Sequence, residues 1–324
     1  MEKVIVTGGT GFIGKHLVNK LSSHGNYSIA LVSNTDKLDP KYFGQIISQK
    51  KTPLRVYTAD IRDKEISELF RNEAADTCIH LAAKTSVVDS IINPDETMEI
   101  NAEGTENVLK ACYDSQVSNF VFASSAAVYG DVKKLPVTED SILNPLSPYG
   151  TSKMLGEQHV SSYHKQKKIK NSISLRIFNV YGNGQSSESD VITKFAKSLS
   201  VGRAPVIYGN GNQTRDFISV ADVADAIVLS MTVMKEYENA KTGINSVLNI
   251  GTGKPTNIKQ LAQKMISVFG LDLHPIYEEE TDEKKGIMHS YADITKSQEI
   301  LHFVPRKSLE EGLREMIDPL LLEK

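Results

Sequence analysis

A glycine-rich loop directly after the first predicted strand constrains the fold more than any other feature of the chain. Residues 3–7 are a short apolar run, and Thr7-Gly8-Gly9-Thr10-Gly11-Phe12-Ile13-Gly14 leads from it into an amphipathic helix at 12–23. Glycines let the backbone turn tightly and approach a pyrophosphate, whose charge is met by the amides of the helix N-terminus. Strand, loop and helix together predict a dinucleotide-binding site.

Short β-branched runs then alternate with helical patterns. Strands are predicted at 3–7, 28–32, 54–57, 77–81, 119–124 and 172–177, and helices at 12–23, 64–72, 94–115 and 149–168. This alternation predicts an α/β fold with a Rossmann-like, doubly wound parallel sheet and helices on both faces.

After about residue 180 the pattern loosens, with helices near 190–200 and 257–269 and a strand leading into a helix at 216–234. We therefore expect a smaller, interleaved C-terminal lobe. Residues 1–180 plus about 215–250 would form the dinucleotide-binding domain. Residues from about 181–214 and 251–324 would form the lobe that binds substrate.

Composition excludes several classes of function. The net charge of the 324 residues is −3, so nucleic-acid or membrane-surface binding has no electrostatic support. No apolar stretch approaches the 18 residues of a membrane span. The two cysteines, Cys78 and Cys112, are read as reduced, buried thiols, which favours a cytoplasmic protein. No Cys/His spacing predicts a metal site.

The end of the second strand bears on the choice of cofactor. An acid is expected there to bind the adenosine ribose hydroxyls, but the residues present are Ser33 and Asn34. Both can hydrogen-bond a hydroxyl, but neither repels a 2′-phosphate as a carboxylate would. Asp36 comes three residues late, and Lys37 could favour a phosphate. We expect NAD, while NADP stays open.

The run Ser124-Ser125 followed by Tyr149-x-x-x-Lys153 places a hydroxyl, a phenol and an ammonium near this site. A phenol ionises near a pKa of about 10, and lowering that value by about 3 units needs roughly 4 kcal/mol. A positive charge about 4 Å away supplies that order of energy. The spacing is weak evidence alone, because it also occurs at Tyr129, Tyr163 and Tyr237.

Several further motifs occur in order at family-like spacing. They are Ala59-Asp60-Ile61-Arg62-Asp63, His80-Leu81-Ala82-Ala83, Asn101-Ala102-Glu103-Gly104-Thr105, Ser147-Pro148-Tyr149-Gly150-Thr151-Ser152-Lys153, Arg176-Ile177-Phe178-Asn179-Val180-Tyr181-Gly182, Arg215-Asp216-Phe217 and Ala292-Asp293-Ile294. With the glycine loop and serine pair, the chain resembles the extended short-chain dehydrogenases/reductases, in the nucleotide-sugar epimerase branch typified by UDP-glucose 4-epimerase.

The resemblance implies a role for each matching residue. Ser125 is the catalytic hydroxyl, Tyr149 the acid/base, and Lys153 holds the nicotinamide ribose and lowers the Tyr149 pKa. The implied cofactor-binding residues are Gly8, Gly11, Phe12, Ile13, Gly14, Ser33, Asn34, Asp60, Ile61, Leu81, Ala82, Ala83, Asn101, Ser124, Tyr149, Lys153 and Phe178. The implied substrate-binding residues are Ser125, Asn179, Val191, Phe195, Ile207, Tyr208, Arg215 and Ser290. A family arginine near residue 284 is absent, where Lys284 or Lys285 could replace it.

Ala126 and Ala127 stand where related dehydratases carry an Asp-Glu pair. Two alanines cannot exchange protons, so elimination is disfavoured and 4-epimerisation of a UDP-hexose is expected. Ser290 leaves room for a 2-acetamido group, which predicts UDP-glucose, UDP-galactose and their N-acetyl forms as substrates. Lys84 could instead pair with a uronate. A UDP-uronate epimerase, another sugar-nucleotide epimerase or reductase, and a non-catalytic dinucleotide-binding protein stay open. The resemblance also implies a homodimer.

Overall fold

The computed structural model describes residues 1–35, 37–49, 52–185, 190–279 and 286–322. Its strands are β1 (Glu2–Thr7), β2 (Tyr27–Ser33), β3 (Leu54–Thr58), β4 (Thr77–His80), β5 (Asn119–Ser125), β6 (Asn171–Ile177), β7 (Asn179–Tyr181), β8 (Val206–Tyr208), β9 (Thr214–Ser219), β10 (Asn245–Ile250), β11 (Pro255–Asn257) and β12 (Ile276–Glu278).

The helices are α1 (Phe12–His24), α2 (Pro40–Gln49), α3 (Ile66–Glu73), α4 (Val87–Ile92), α5 (Pro94–Met98), α6 (Gly104–Asp114), α7 (Pro148–Lys165), α8 (Val191–Ser200), α9 (Val220–Glu236), α10 (Ile258–Val268), α11 (Thr295–Leu301) and α12 (Leu309–Leu322). A π-helical turn, Glu99–Glu103, joins α5 to α6, and a 3₁₀ turn, Ala126–Val128, follows β5.

A parallel sheet forms the centre of the described structure. Its strand order is β10-β6-β5-β4-β1-β2-β3, and its strand pairs are parallel. The chain runs outward from β1 to β3 on one side and from β4 to β10 on the other. The Rossmann-like, doubly wound sheet that the sequence predicts is therefore confirmed.

Both faces of the sheet are buried, as a parallel sheet requires. Val4 and Val6 of β1 pack on the face covered by α1 and α9, whereas Ile5 packs on the face of α3 and α6. This alternation follows from the two-residue period of a strand.

The C-terminal segments form smaller layers. Strands β11, β9 and β7 make one sheet, and β12 pairs with β8. Buried side chains of α8, α10 and α12 form a hydrophobic cluster of their own. The exact division into two domains stays a prediction.

No described helix combines the length and the hydropathy of a membrane-spanning segment. Within the same ranges, no three His, Cys, Asp or Glu side chains cluster closely enough to hold a metal ion.

Candidate active site

A cleft of about 940 Å³ opens at the carboxyl ends of the parallel strands. It is lined by the residues that follow β1 and β4, where the strand order reverses and where open α/β sheets bind nucleotides. The predicted cofactor-binding residues that line it are Gly8, Gly11, Phe12, Ile13, Gly14, Ser33, Asn34, Asp60, Ile61, Leu81, Ala82, Ala83, Ser124, Tyr149, Lys153 and Phe178.

The glycine loop has no space for side chains at two of its positions. Gly8 has a φ of +70°, and a Cβ there would lie 2.6 Å from the Ala82 amide nitrogen. A Cβ on Gly14 would lie 2.4 Å from the Gly8 carbonyl oxygen. Helix α1 begins at Phe12 with no side-chain cap and no acidic residue in its first turn. Its positive end is thus available to an anion, and the loop fits the pyrophosphate of a dinucleotide.

Buried hydroxyl and imidazole groups anchor this loop to the sheet. Thr7 Oγ1 lies 2.7 Å from His80 Nδ1, and His80 Nε2 lies 2.9 Å from Thr105 Oγ1. Because the Thr105 hydroxyl donates to the Asn101 carbonyl oxygen at 2.5 Å, it accepts from Nε2–H, and Nδ1 accepts the Thr7 proton. Burial, with a smaller effect of the Lys153 charge, lowers the pKa of His80 to about 3. The imidazole is therefore neutral and serves to position Thr7.

The predicted ribose end of the cleft carries hydroxyls and one carboxylate. Ser33 Oγ lies 2.6 Å from Thr10 Oγ1. The Asp60 carboxylate accepts hydrogen bonds from Arg62 at 2.7 and 3.0 Å, which lower the pKa of Asp60. Asp36 lies outside the described residues. These groups suit the ribose hydroxyls of NAD better than the 2′-phosphate of NADP.

Ser125 and Tyr149 both line the cleft, and the Ser125 side chain acts to lower the pKa of Tyr149. Ser125 ends β5, and its hydroxyl also accepts from the Ala127 amide at 3.2 Å. Tyr149 is the second residue of α7, where the Ser147 hydroxyl caps the helix by accepting from the Gly150 amide at 3.1 Å. A strand end and a capped helix start thus bring the predicted hydroxyl and phenol together.

The third predicted catalytic group, Lys153, is buried one helical turn away. Its Nζ donates to the Ala123 carbonyl oxygen at 2.8 Å and lies 5.0 Å from the centre of the Phe122 ring. Burial lowers the pKa of Lys153 to about 8, and the charge of Glu157 opposes that shift.

The protonation of Tyr149 differs from the expectation. Burial raises the pKa of Tyr149, and the opposing effect of the Ser125 side chain only partly offsets this. Lys153 is not among the groups that shift this pKa, and its ammonium donates to the Ala123 carbonyl oxygen. The isolated protein therefore holds Tyr149 as a neutral phenol.

Ala126 and Ala127 line the cleft beside Ser125. They form the 3₁₀ turn after β5, and the backbone here approaches α7 so closely that a Cβ on Gly150 would lie 2.6 Å from the Ala127 carbonyl oxygen. The turn thus brings no carboxyl group to the reacting pair.

Asn179, Arg215 and Ser290 line the cleft as predicted for the substrate side. Burial lowers the pKa of Arg215, and within the described ranges no carboxylate forms an ion pair with it. Asp216, its neighbour in sequence, is turned away and accepts from the backbone amides of residues 252, 253 and 292. A surface ion pair between the two is thus excluded. Lys284 and Lys285 lie outside the described residues.

Four other predicted substrate contacts do not line the cleft. Phe195 and Ile207 are only 3% and 1% exposed, because their side chains pack in the cluster of α8, α10 and α12. The prediction is corrected for these two side chains, which belong to the core. Val191 packs partly against the same cluster, and Tyr208 is 38% exposed on β8. For Val191 and Tyr208, contact with substrate stays a prediction.

Asn101 supports the wall of the cleft from behind. Its side-chain oxygen accepts a hydrogen bond from the Lys84 amide at 2.8 Å. Its side-chain nitrogen donates to the Lys84 carbonyl oxygen at 2.9 Å and to Ser152 Oγ at 3.0 Å. This corrects its predicted place in the lining. The Lys84 ammonium lies 2.8 Å from Asp89 and 2.6 Å from Glu96. A uronate would have to compete with these two carboxylates.

Sequence reasoning missed other residues of the site. Thr10, Thr85, Val87, Val88, Ile100 and Ile287 also line the cleft. Glu157 and Arg176 form a buried ion pair behind Ser124. The spacing of Glu157, one helical turn after Lys153, was the available signal for this pair.

Comparisons with known proteins agree with this geometry. Residues 4–251 match the family model described as the NAD dependent epimerase/dehydratase family. A protein of Methanocaldococcus jannaschii named putative UDP-glucose 4-epimerase is 36% identical over 97% of both chains.

Two solved structures are also similar. The UDP-N-acetylglucosamine 4-epimerase of Methanobrevibacter ruminantium, in complex with UDP-N-acetylmuramic acid, has a TM-score of 0.88 and 30% identity over 100% of this chain and 99% of its own. The UDP-glucose 4-epimerase of Thermotoga maritima, with UDP-glucose, has a TM-score of 0.87 and 31% identity over 99% of both. The chain belongs to the NAD dependent epimerase/dehydratase family, which confirms the resemblance and the prediction of an enzyme.

Proposed function

We propose that this member of the family is an NAD-dependent 4-epimerase of UDP-hexoses. The observation that carries the proposal is that Ser125, Tyr149 and Lys153 together line the cleft that the glycine loop borders. Ala126 and Ala127 add no acid or base to these residues, which supports reversible oxidation at one carbon rather than elimination.

Each residue then has a defined task. Bound NAD supplies the acceptor and donor of the hydride. Tyr149 takes up the proton of the sugar 4′-hydroxyl during oxidation and returns it during reduction. Ser125 hydrogen-bonds the same sugar oxygen and can relay the proton. Lys153 is assigned to the nicotinamide ribose, which its ammonium would hold by hydrogen bonds.

The diphosphate of the substrate is assigned to Arg215 and Asn179. Arg215 is a partly buried guanidinium in the cleft wall whose described hydrogen bonds go to backbone carbonyls, at 2.8 Å for Thr214. A planar guanidinium suits two phosphate oxygens, which would also offset its burial.

The substrates proposed are UDP-glucose, UDP-galactose and their N-acetyl forms. Ser290 lines the cleft together with Arg215 and Ile287, and its small side chain leaves space for an acetamido group. The similar M. ruminantium protein, named for an N-acetylated substrate, supports this assignment. The two carboxylates around Lys84 argue against a uronate.

Ser290→Tyr tests the sugar specificity. A phenol here would fill the space of the acetamido group, so kcat/KM for UDP-GlcNAc should fall at least about tenfold more than for UDP-glucose, a difference of about 1.4 kcal/mol. Ser290→Ala is the matched control and should leave the ratio unchanged. An equal loss on both substrates would refute the assignment of Ser290.

The activity itself is tested with purified protein and no added cofactor. NAD content is measured on denatured protein, and interconversion is followed for UDP-glucose, UDP-GlcNAc, UDP-glucuronate and a GDP-sugar. Bound NAD with turnover of the first two is expected. A requirement for stoichiometric NADPH would indicate a reductase, and absence of turnover on every sugar would refute the proposal. Light scattering on the same sample tests the homodimer.

A further inference from the structure

A buried polar network lies behind the serine pair and the catalytic helix. Glu157 follows Lys153 by one turn of α7. Its Oε1 accepts from the Ser124 hydroxyl at 2.5 Å and from Arg176 Nε at 2.9 Å, while Oε2 accepts from Arg176 Nη2 at 2.7 Å. Glu157, Arg176 and Ser124 are each less than a tenth exposed. The carboxylate is therefore fully bonded and shielded from solvent.

The network continues from Arg176 into the loop after β5. Arg176 Nη1 donates to the Tyr129 hydroxyl at 2.9 Å, and its guanidinium carbon lies 4.7 Å from the centre of the Tyr129 ring. The Tyr129 hydroxyl donates in turn to Asn249 Oδ1 at 2.6 Å. Burial raises the pKa of Tyr129 to about 12, so this phenol is neutral. Arg176 is thus held on two sides and fixes the direction of Glu157.

Glu157 supplies the negative charge that acts on the Lys153 ammonium. His80 of β4, on the other side, is neutral. Tyr149, on the same helix, is also protonated in this structure. The carboxylates of the helices packed against α7 include Asp89 and Glu96, which are bonded to Lys84 instead.

We propose that Glu157 is a positioning residue for the epimerase reaction: its carboxylate, oriented by Arg176, fixes the Ser124 hydroxyl and balances the charge of the Lys153 ammonium. This inference rests on the proposed function of the site that Ser125, Tyr149 and Lys153 form in the cleft. A residue that only stabilised the fold would have no effect on the protonation of Lys153.

The first test is Glu157→Gln, which keeps a hydrogen-bond acceptor for Ser124 and removes the charge. Lys153 is charged below its pKa of about 8 and loses that charge as the pH rises. Removing the nearby negative charge lowers this pKa, so the alkaline limb of the kcat–pH profile should move to lower pH, by about 1 unit. Glu157→Asp, which retains the charge, should restore the limb to within a few tenths of a unit of wild type.

Arg176→Gln should shift the alkaline limb of the kcat–pH profile in the opposite direction from Glu157→Gln. With the guanidinium removed, the Glu157 charge acts on Lys153 without compensation, and the alkaline limb should move to higher pH. If Glu157 had a purely structural role, both variants would lose stability. The alkaline limb of the kcat–pH profile would then not move to lower pH in Glu157→Gln and to higher pH in Arg176→Gln. Arg176→Gln also keeps the inference testable if Glu157→Gln does not fold.

The chain offers a matched control in a second Tyr–Arg–Glu network. Arg55 Nε donates to Glu73 Oε1 at 2.8 Å, the Tyr57 hydroxyl bonds the same carboxylate, and Glu73 is 5% exposed. None of these three residues lines the cleft. Glu73→Gln should lower the melting temperature and leave the pH profile unchanged.

A second readout separates this inference from the proposed function. In protein labelled with ¹³C-lysine, the Lys153 Cε resonance reports the protonation of its amine directly, with or without turnover. The midpoint of its titration should fall in Glu157→Gln and rise in Arg176→Gln. Unchanged midpoints in both variants would overturn the inference even if the wild type epimerises UDP-sugars. Shifted midpoints in a protein without epimerase activity would retain the charge link between Glu157 and Lys153 and refute the proposed function.

Discussion

The Tyr149 phenol must become a phenolate to accept a proton at neutral pH, and the protein alone opposes this. Burial raises the pKa of Tyr149, while the Lys153 ammonium is bonded to the Ala123 carbonyl. The Ser125 side chain is the one contribution described for Tyr149 that lowers its pKa. The residue pair could be predicted from sequence, but its protonation could not, because that depends on burial and on which oxygen Lys153 reaches.

Tyr149→Phe tests the proton transfer at this position. The ring keeps its packing and the hydroxyl is lost, so kcat should fall about 10²- to 10⁴-fold while NAD content stays near wild type. Tyr163→Phe is the matched control, because Tyr163 lies on the same helix and has the same spacing to a lysine, Lys167. Near wild-type turnover in Tyr149→Phe, or equal losses in both variants, would contradict the assignment.

Helix α7 shows how one element arranges several groups at once. Its residues 149, 153 and 157 stand one turn apart, so a phenol, an ammonium and a carboxylate follow each other along one face. The Ser147 cap and Pro148 fix where the helix begins. A change in the cap would therefore shift all three groups together relative to β5.

Gly14, in the glycine loop, has no space for a side chain. In Gly14→Ala the new Cβ meets the Gly8 carbonyl oxygen at 2.4 Å, so the loop must move away from α1. NAD content should fall sharply, and the free energy of unfolding should drop by about 1–3 kcal/mol, as for overpacking. Both are measured on purified protein, by release of NAD and by denaturant unfolding.

Gly44→Ala is the control for this loop. Gly44 lies in α2, and no neighbouring atom of the described residues comes within 4 Å of the position that an alanine Cβ would take there. Alanine should therefore stabilise the protein by up to about 1 kcal/mol and leave NAD content unchanged. Full NAD content in Gly14→Ala would mean that the loop does not hold the pyrophosphate.

Other elements show where sequence patterns stop being informative. The helix predicted at 94–115 is divided by the π-helical turn Glu99–Glu103, which carries Asn101 between Lys84 and Ser152. Apolar periodicity cannot distinguish a π turn, because it depends on which backbone oxygen each amide reaches. Helices α2, α4, α11 and α12 and strand β10 were not predicted as separate elements. Short apolar segments such as β10 lack a local signal and depend on the neighbouring strand, here β6.

At the scale of the whole molecule, one buried carboxylate joins the central sheet to the substrate side. Asp216 of β9 accepts from the Thr252 amide at 2.8 Å and the Thr252 hydroxyl at 2.5 Å, and from the amides of Gly253 at 2.9 Å and Ala292 at 3.1 Å. The turn after β10 and the segment that contains Ser290 therefore meet at one side chain. Arg215, the proposed ligand of the diphosphate, is its neighbour in sequence.

Asp216→Asn should separate substrate binding from the rest of the enzyme. In the variant, the side-chain nitrogen of the asparagine would replace one carboxylate oxygen and would face backbone N–H donors. Each lost hydrogen bond to the charged carboxylate removes about 1.5–3 kcal/mol of stability. The walls that carry Arg215 and Ser290 should loosen, so KM for the UDP-sugar should rise about tenfold, equivalent to about 1.4 kcal/mol. NAD content should stay near wild type, because the glycine loop is not in contact with this carboxylate.

Asp222→Asn is the matched control for Asp216→Asn. Asp222 is also buried and accepts from the Ser219 hydroxyl at 2.7 Å and from the Arg306 and Lys307 amides at 2.9 and 3.3 Å, but it does not line the cleft or bond its walls at Ser290. Its amide variant should lose comparable stability in denaturant unfolding and keep the wild-type KM. If KM rises equally in both variants, general loosening explains the effect, and Asp216 has no specific part in shaping the substrate side.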